Sequence, residues 1–179
     1  MCSSDLIFCV EAFEYPIAAV PRTAVLVPWF KSKAFADVLR PRPVRIFRDG
    51  WGSDVAAFAP AAIAGTWEQW QALLRVSLPS LTHAVIVLWR PGQERLGEAD
   101  RDRLWDVFRV PVFEQVIGKS GELLASECEA HDGLHLRSPR VPLENEYVDA
   151  SPCPCGQKTS RIGCSQGTAM LKRIAAYAR

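Results

Sequence analysis

The chain has 179 residues, 49% of them apolar and 23% charged, with a formal net charge of +1. That length fits one α/β domain over 1–179 with a real core, and that composition fits an ordinary globular protein. A near-neutral charge gives no electrostatic case for nucleic acid or an acidic membrane as the main partner, and no apolar stretch approaches the ~20 residues of a membrane span.

Along 1–10 no basic residue precedes the apolar run and no small-residue cleavage site comes after it, so a secretory signal is not expected. A cytoplasmic location is the expectation, and there cysteines stay reduced. The first six residues join poorly to the chain beyond them, as at a misjudged reading-frame boundary.

Short apolar, β-branched runs alternate with helical patterns from there on, the signature of an α/β layer structure. Strands are predicted at 24–30, 44–47, 84–89, 110–117 and 123–128. Several are apolar at nearly every position, as in strands buried on both faces of a parallel sheet. Helices are predicted at 33–39, at 54–64 despite Pro60, at 67–74 behind a Thr66 cap, at 98–108 and at 168–178. The composition of 137–152 turns to Pro, Glu, Asn and Ser and predicts a loop.

Two groupings, one aromatic and one basic, have a bland and a sharp reading. Trp67 and Trp70 would suit a base or a sugar as a stacking platform, but their helical spacing beside Leu73 and Leu74 predicts core residues. Within 98–108 the same spacing puts Leu104, Trp105 and Phe108 on one face. Arg40, Arg42, Arg45 and Arg48 form a basic stripe with Phe47 that would suit a phosphate, although a solvated edge is the expectation. His83 precedes an apolar strand as a structural histidine.

Soft metal ligands concentrate near the C-terminus. Asp132-Gly133 is a turn signal between the 123–128 strand and the strand-like Leu134-His135-Leu136, which predicts a hairpin. A four-residue loop over 130–133 would make Cys128 and His135 cross-strand neighbours, with His131 on the turn. Cys153 and Cys155 form a second pair, stiffened by Pro154 and followed by Gly156, which permits close approach of backbone amides to sulfur. Zinc takes four sulfur and nitrogen ligands, usually as two close pairs from two turns. Cys128, His131, His135, Cys153 and Cys155 are therefore the candidate metal ligands, in a zinc-knuckle subregion at 123–164. Cys164 is a spare that could replace a histidine; Cys2 and Cys9 are too remote to place. Reduced, unliganded cysteines and an oxidised pair are the alternatives.

Three segments carry a resemblance: 110–115 (Val-Pro-Val-Phe-Glu-Gln), 125–136 with its Glu-Cys-Glu-Ala-His-Asp-Gly-Leu-His run, and 153–162, Cys-Pro-Cys-Gly followed by Arg161-Ile162. Together they resemble the phenylacetate-CoA ligase branch of the adenylate-forming enzymes, over roughly residues 84–162. The resemblance implies the last part of that family's large domain. It does not bring the ligase chemistry with it: no Gly-rich phosphate loop is present, Glu114-Gln115-Val116-Ile117 stands where the family has Tyr-Gly-x-Ser/Thr-Glu, the ribose-binding Asp segment is missing from 137–152, and the sequence ends at Arg179 without the lid domain and its lysine. The expected fold is α/β, a mostly parallel or mixed sheet flanked by helices with a C-terminal zinc-knuckle hairpin. The expected function is a non-catalytic, zinc-stabilised structural or interaction module with an unidentified protein partner. An acyl-CoA ligase-like fragment, or a zinc-dependent hydrolase using Glu127, Glu129 or Asp132 as general base, is the alternative.

Overall fold

The structure is a computed structural model and describes residues 15–16, 19–27, 43–119, 121–138 and 148–163. Nine strands form one sheet: β1 (Thr23–Val25), β2 (Val44–Ile46), β3 (Ala62–Gly65), β4 (Ala84–Trp89), β5 (Val112–Ile117), β6 (Leu123–Glu127), β7 (Leu134–Leu136), β8 (Val148–Asp149) and β9 (Arg161–Ile162). Their order is β2-β1-β3-β4-β5-β6-β7-β9-β8. From β2 to β5 all neighbours are parallel; from β5 onward all are antiparallel. The described residues thus form a mixed sheet with three helices.

The parallel half is built from strands that bury nearly every residue, the pattern of a sheet with both faces packed. One face sets Leu26, Ile63, Val85 and Val87 against α1 (Ser53–Phe58), α2 (Trp67–Leu73) and α3 (Glu98–Phe108), which contribute Val55, Trp70, Leu73 and Leu104. The other face carries Val25, Ala64, Ile86, Leu88, Phe113 and Ile117, with Tyr15 packed against them. Each such aliphatic side chain contributes on the order of 1.5–3 kcal/mol by leaving water. Trp70 is wholly buried and its indole N–H donates to the Ile86 carbonyl at 3.1 Å, so the Trp67/Trp70 pair belongs to the core and not to a stacking platform.

The antiparallel half is thinner. Its own apolar cluster is Val116, Leu124, Ala125, Leu134 and Ile162, with Leu136 packed at the side. Strands of two or three residues cannot hold themselves together by burial alone, so polar contacts carry more of the load there.

Several expectations need correction. The helix predicted over 54–64 stops at Phe58, because Ala59 adopts a left-handed conformation (φ 49°) ahead of Pro60, and residues 62–65 become β3, the middle strand of the parallel half. An Ala-rich segment favours helix only weakly, and burial between two sheet neighbours overrides it. On α3, Leu104 is buried and Phe108 packs behind it one turn later, but Trp105 sits about 100° round the helix and is 48% exposed. Strands β1, β2, β5 and β6 end earlier or start later than predicted, and residues Val148–Asp149 of the predicted 137–152 loop form β8. The helices predicted at 33–39 and 168–178, the end of the 24–30 strand, and Cys2, Cys9, Cys164, Arg40 and Arg42 lie outside the described residues.

The rest of the arginine stripe is a stacked edge. Arg45 is exposed, with its guanidinium 5.0 Å from the Phe47 ring centroid, and Arg48 is exposed beside it. His83 is exposed and its Nδ1 lies 2.9 Å from the Thr82 hydroxyl. No helix among the described residues is long and apolar enough to cross a membrane.

Candidate metal centre

Two short turns deliver the cluster. β6 and β7 pair antiparallel with Ser126 opposite His135 and Glu127 opposite Leu134, so the connecting loop covers 128–133 and not 130–133. Cys128 therefore lies just past the strand end, two residues beyond the position opposite His135. A slip of two preserves the face, because side chains alternate with period two, and both side chains still point to the same side. The loop turns through a Cys128 carbonyl bonded by the His131 amide at 3.0 Å, with His131 (φ 50°) and Gly133 (φ 77°) in left-handed conformations.

The second turn is local. The Gly156 amide donates to the Cys153 carbonyl at 2.9 Å, which makes 153–156 a β-turn with Pro154 at its second position, where its fixed φ is preferred. Gly156 takes φ 82°, a value open to glycine at little cost. The turn folds back so that the Gln157 amide approaches Cys155 Sγ at 3.5 Å.

Together the turns place one ligand atom each of Cys128, His135, Cys153 and Cys155 within 4.8 Å of one another. Cys128 Sγ is 3.7 Å from Cys153 Sγ, and Cys155 Sγ is 3.4 Å from His135 Nε2. A tetrahedral zinc ion with Zn–S about 2.3 Å and Zn–N about 2.0–2.1 Å has S···S edges of about 3.8 Å and S···N edges of about 3.6 Å. The two short separations match those edges.

His135 is also oriented for ligation. Its Nδ1 lies 3.2 Å from the Thr159 carbonyl oxygen and 2.9 Å from the Thr159 hydroxyl. A carbonyl only accepts, so Nδ1 is assigned the hydrogen and Nε2, facing the sulfurs, keeps its lone pair. Burial lowers the His135 pKa, a Thr159 backbone bond and Asp132 raise it, and Arg137 and Arg161 lower it further; the net shift is down, toward the neutral ring.

The thiols differ from one another. Burial pushes Cys128 up to about 12; the Ala130 amide opposes the rise, and Cys155 and Cys153 add to it. Burial also acts to raise Cys155, but hydrogen bonds from the Gln157 amide, Cys153 and Cys128 outweigh it, and its pKa falls below the ordinary value. Cys128 and Cys153 are buried, while Cys155 is only half-buried. A sulfur that burial holds protonated becomes a thiolate without penalty only if a cation sits beside it.

His131 stands apart from these four. Its Nδ1 is 3.1 Å from Glu127 Oε1, and its ring stacks on Phe113 with centroids 4.7 Å apart. The αL backbone at 131 swings the side chain away from the sulfurs and toward β5.

Two charged networks hold the turns, and the sequence did not announce either. Arg161 is 2% exposed; it donates to the Asp132 carbonyl at 3.0 Å and carboxylate at 2.5 Å, and to Asp149 at 2.7 Å and the Ser151 hydroxyl at 3.0 Å. One guanidinium thus ties the first turn to the segment that leads into Cys153. On the α3 side, Arg101 bonds Glu114 at 2.7 Å and Glu127 at 3.3 Å, and Glu127 Oε2 accepts the Glu114 amide at 2.8 Å. Glu127 and Asp132 are consequently committed to ion pairs, and Glu129, the remaining carboxylate considered as a general base, is exposed. The Arg161-Ile162 pair after Cys-Pro-Cys-Gly was the one signal that could have drawn notice to Arg161.

Comparison with protein-family models and with curated proteins finds no match. Among solved structures, the chain is similar to a crystal structure of 2-hydroxyisobutyryl-CoA ligase in an open conformation, in complex with 2-HIB-AMP and CoA. The identity is 16%, the TM-score 0.47, and the match covers 76% of this chain but 33% of that one. The chain spans about a third of the length of that ligase, to which it bears a distant likeness.

Proposed function

We propose that Cys128, His135, Cys153 and Cys155 hold one structural zinc ion, and that the protein is a non-catalytic structural or interaction module whose metal-holding subregion spans 123–164. The reading rests on one observation, the four ligand atoms within 4.8 Å of one another. The Cys3His donor set suits zinc, and four protein ligands leave no position for a reactive water. His131 is assigned to the Glu127 pair and not to the metal. Structural zinc binding contributes on the order of 10 kcal/mol to folding.

Metal analysis of the purified chain is expected to give one zinc per chain. Cobalt substitution is expected to give the absorption of a tetrahedral thiolate site, and chelation to lower the melting temperature. A melt unchanged by a strong chelator sinks the reading.

A further inference from the structure

We infer that Cys155 is the site at which a hydroperoxide oxidises this protein, and that Cys128 resolves it as a disulfide, expelling the metal. The inference rests on the zinc reading above and deepens it.

The three sulfurs are unequally placed. Cys128 and Cys153 are buried, whereas Cys155 is half-buried on the turn between the exposed Pro154 and Gly156. Peroxide therefore reaches Cys155 first. Among the described cysteines, the two possible resolving partners, Cys128 and Cys153, both have their sulfurs within 4.8 Å of it, so no unfolding is needed to bring a second sulfur to the oxidised one. Cys153 shares the Pro154 turn with Cys155, and a bond closed through that stiff turn would strain disulfide geometry. Cys128 approaches from a separate element, the end of β6, and is free of that constraint.

The chemistry balances with a hydroperoxide as sole oxidant. The Cys155 thiolate attacks a peroxide oxygen, the O–O bond breaks, and after proton uptake water (or the alcohol) leaves behind a sulfenic acid. The Cys128 thiolate then attacks the Cys155 sulfur; the S–O bond breaks, a second proton is taken up, and water leaves. Two electrons pass from the sulfurs to the peroxide, and an S–S bond has formed. Cys153 and His135 remain as ligands, and two are too few to hold zinc against solvent. The new bond joins the same two turns the metal joined, so the antiparallel half keeps one cross-link in either state.

The test uses the full reduced chain loaded with one equivalent of zinc, treated with hydrogen peroxide in the presence of a chromogenic chelator. Zinc release is expected in step with loss of two thiols, one zinc per disulfide, and a dithiol reductant is expected to restore zinc binding. Tryptic mapping is expected to join the peptide 120–137, which carries Cys128, to 141–158, with fragmentation placing the bond at Cys155. Zinc retained through complete peroxide consumption overturns the inference. So does release accompanied by sulfinic acids, or by a disulfide confined to Cys153 and Cys155 or to Cys2, Cys9 and Cys164. A reduced chain that never binds zinc overturns the metal reading instead, which the loading step reveals before any peroxide is added.

Discussion

The two halves of the sheet are stabilised by different physics. From β2 to β5 the strands are parallel and buried on both faces, and side chains such as Ile63, Ile86 and Trp70 fill the layers on either side. From β6 to β8 the strands are antiparallel, two to five residues long, and share a small apolar cluster. There the Cys128/His135/Cys153/Cys155 group and the buried Arg161 stand where a core would otherwise be. The contrast teaches that where apolar burial runs short, buried ion pairs such as those of Arg161 take over the holding of short strands.

The sharpest way to break that contrast is to strip the proposed zinc from the cluster. Chelation is expected to remove a contribution on the order of 10 kcal/mol, with hydrogen-exchange protection lost first in β7 and β9 while β3 and β4 stay protected. Loss spread evenly over both halves would refute the division. The metal-free protein is expected to lose further stability as pH falls. His135 has a folded pKa below its unfolded value near 6.5, so the unfolded chain binds the proton more readily. Its contribution is therefore present above about pH 6.5 and is lost as pH falls toward the folded value. A urea-denaturation series across that range checks the sign, and His135→Gln is expected to flatten it.

Core truncation probes the other half. Ile86→Ala, in a strand buried at every position, is expected to cost about 2–5 kcal/mol by lost transfer energy plus cavity. Zinc affinity measured by competition with a chelator is expected to fall far less than stability does, since Ile86 belongs to the core cluster of the parallel half and none of the four candidate ligands does. Arg161→Met reverses the pattern. It removes the cation between Asp132 and Asp149, whose side chains are 37% and 22% exposed, so the cost is discounted to about 2–3 kcal/mol from the full value for a buried pair. Zinc affinity is expected to fall at least tenfold, because the turn carrying Cys128 and the segment leading to Cys153 are no longer tied.

The legibility of the sequence divides in the same place. β4 at 84–89 and α3 at 98–108 were readable to the residue, because a long apolar run and a long amphipathic period leave little choice. The cysteine and histidine pairs near the C-terminus were readable from spacing and turn residues, and four of the five side chains meet in space. β3 was not readable, since Ala-Ile-Ala-Gly carries no strand signal of its own and is a strand only because β1 and β4 flank it. β8 and β9, at two residues each, fall below any periodicity. The hairpin register was missed by two residues, an error that alternation hides because it leaves every side chain on its expected face. Nor was the role of Arg161 readable: its partners lie 29 and 12 positions upstream, and a lone arginine before an isoleucine gives no hint of either.

The smallest expected effect tests whether the halves are separable at all. Thr66 caps α2 through a reciprocal box: its hydroxyl accepts the Gln69 amide at 3.3 Å, and the Gln69 carboxamide accepts the Thr66 amide at 2.8 Å. Thr66→Ala deletes one of those bonds at a helix end and is expected to cost about 1 kcal/mol. A loss that small is measurable as a shift in denaturation midpoint without a change in slope. Zinc affinity and the peroxide sensitivity of Cys155 are expected to be unchanged, because α2 packs on the parallel half, away from the metal turns. A cap loss that weakened zinc binding would mean that strain travels through β4 and β5 into the hairpin, and the two halves would then be one cooperative unit.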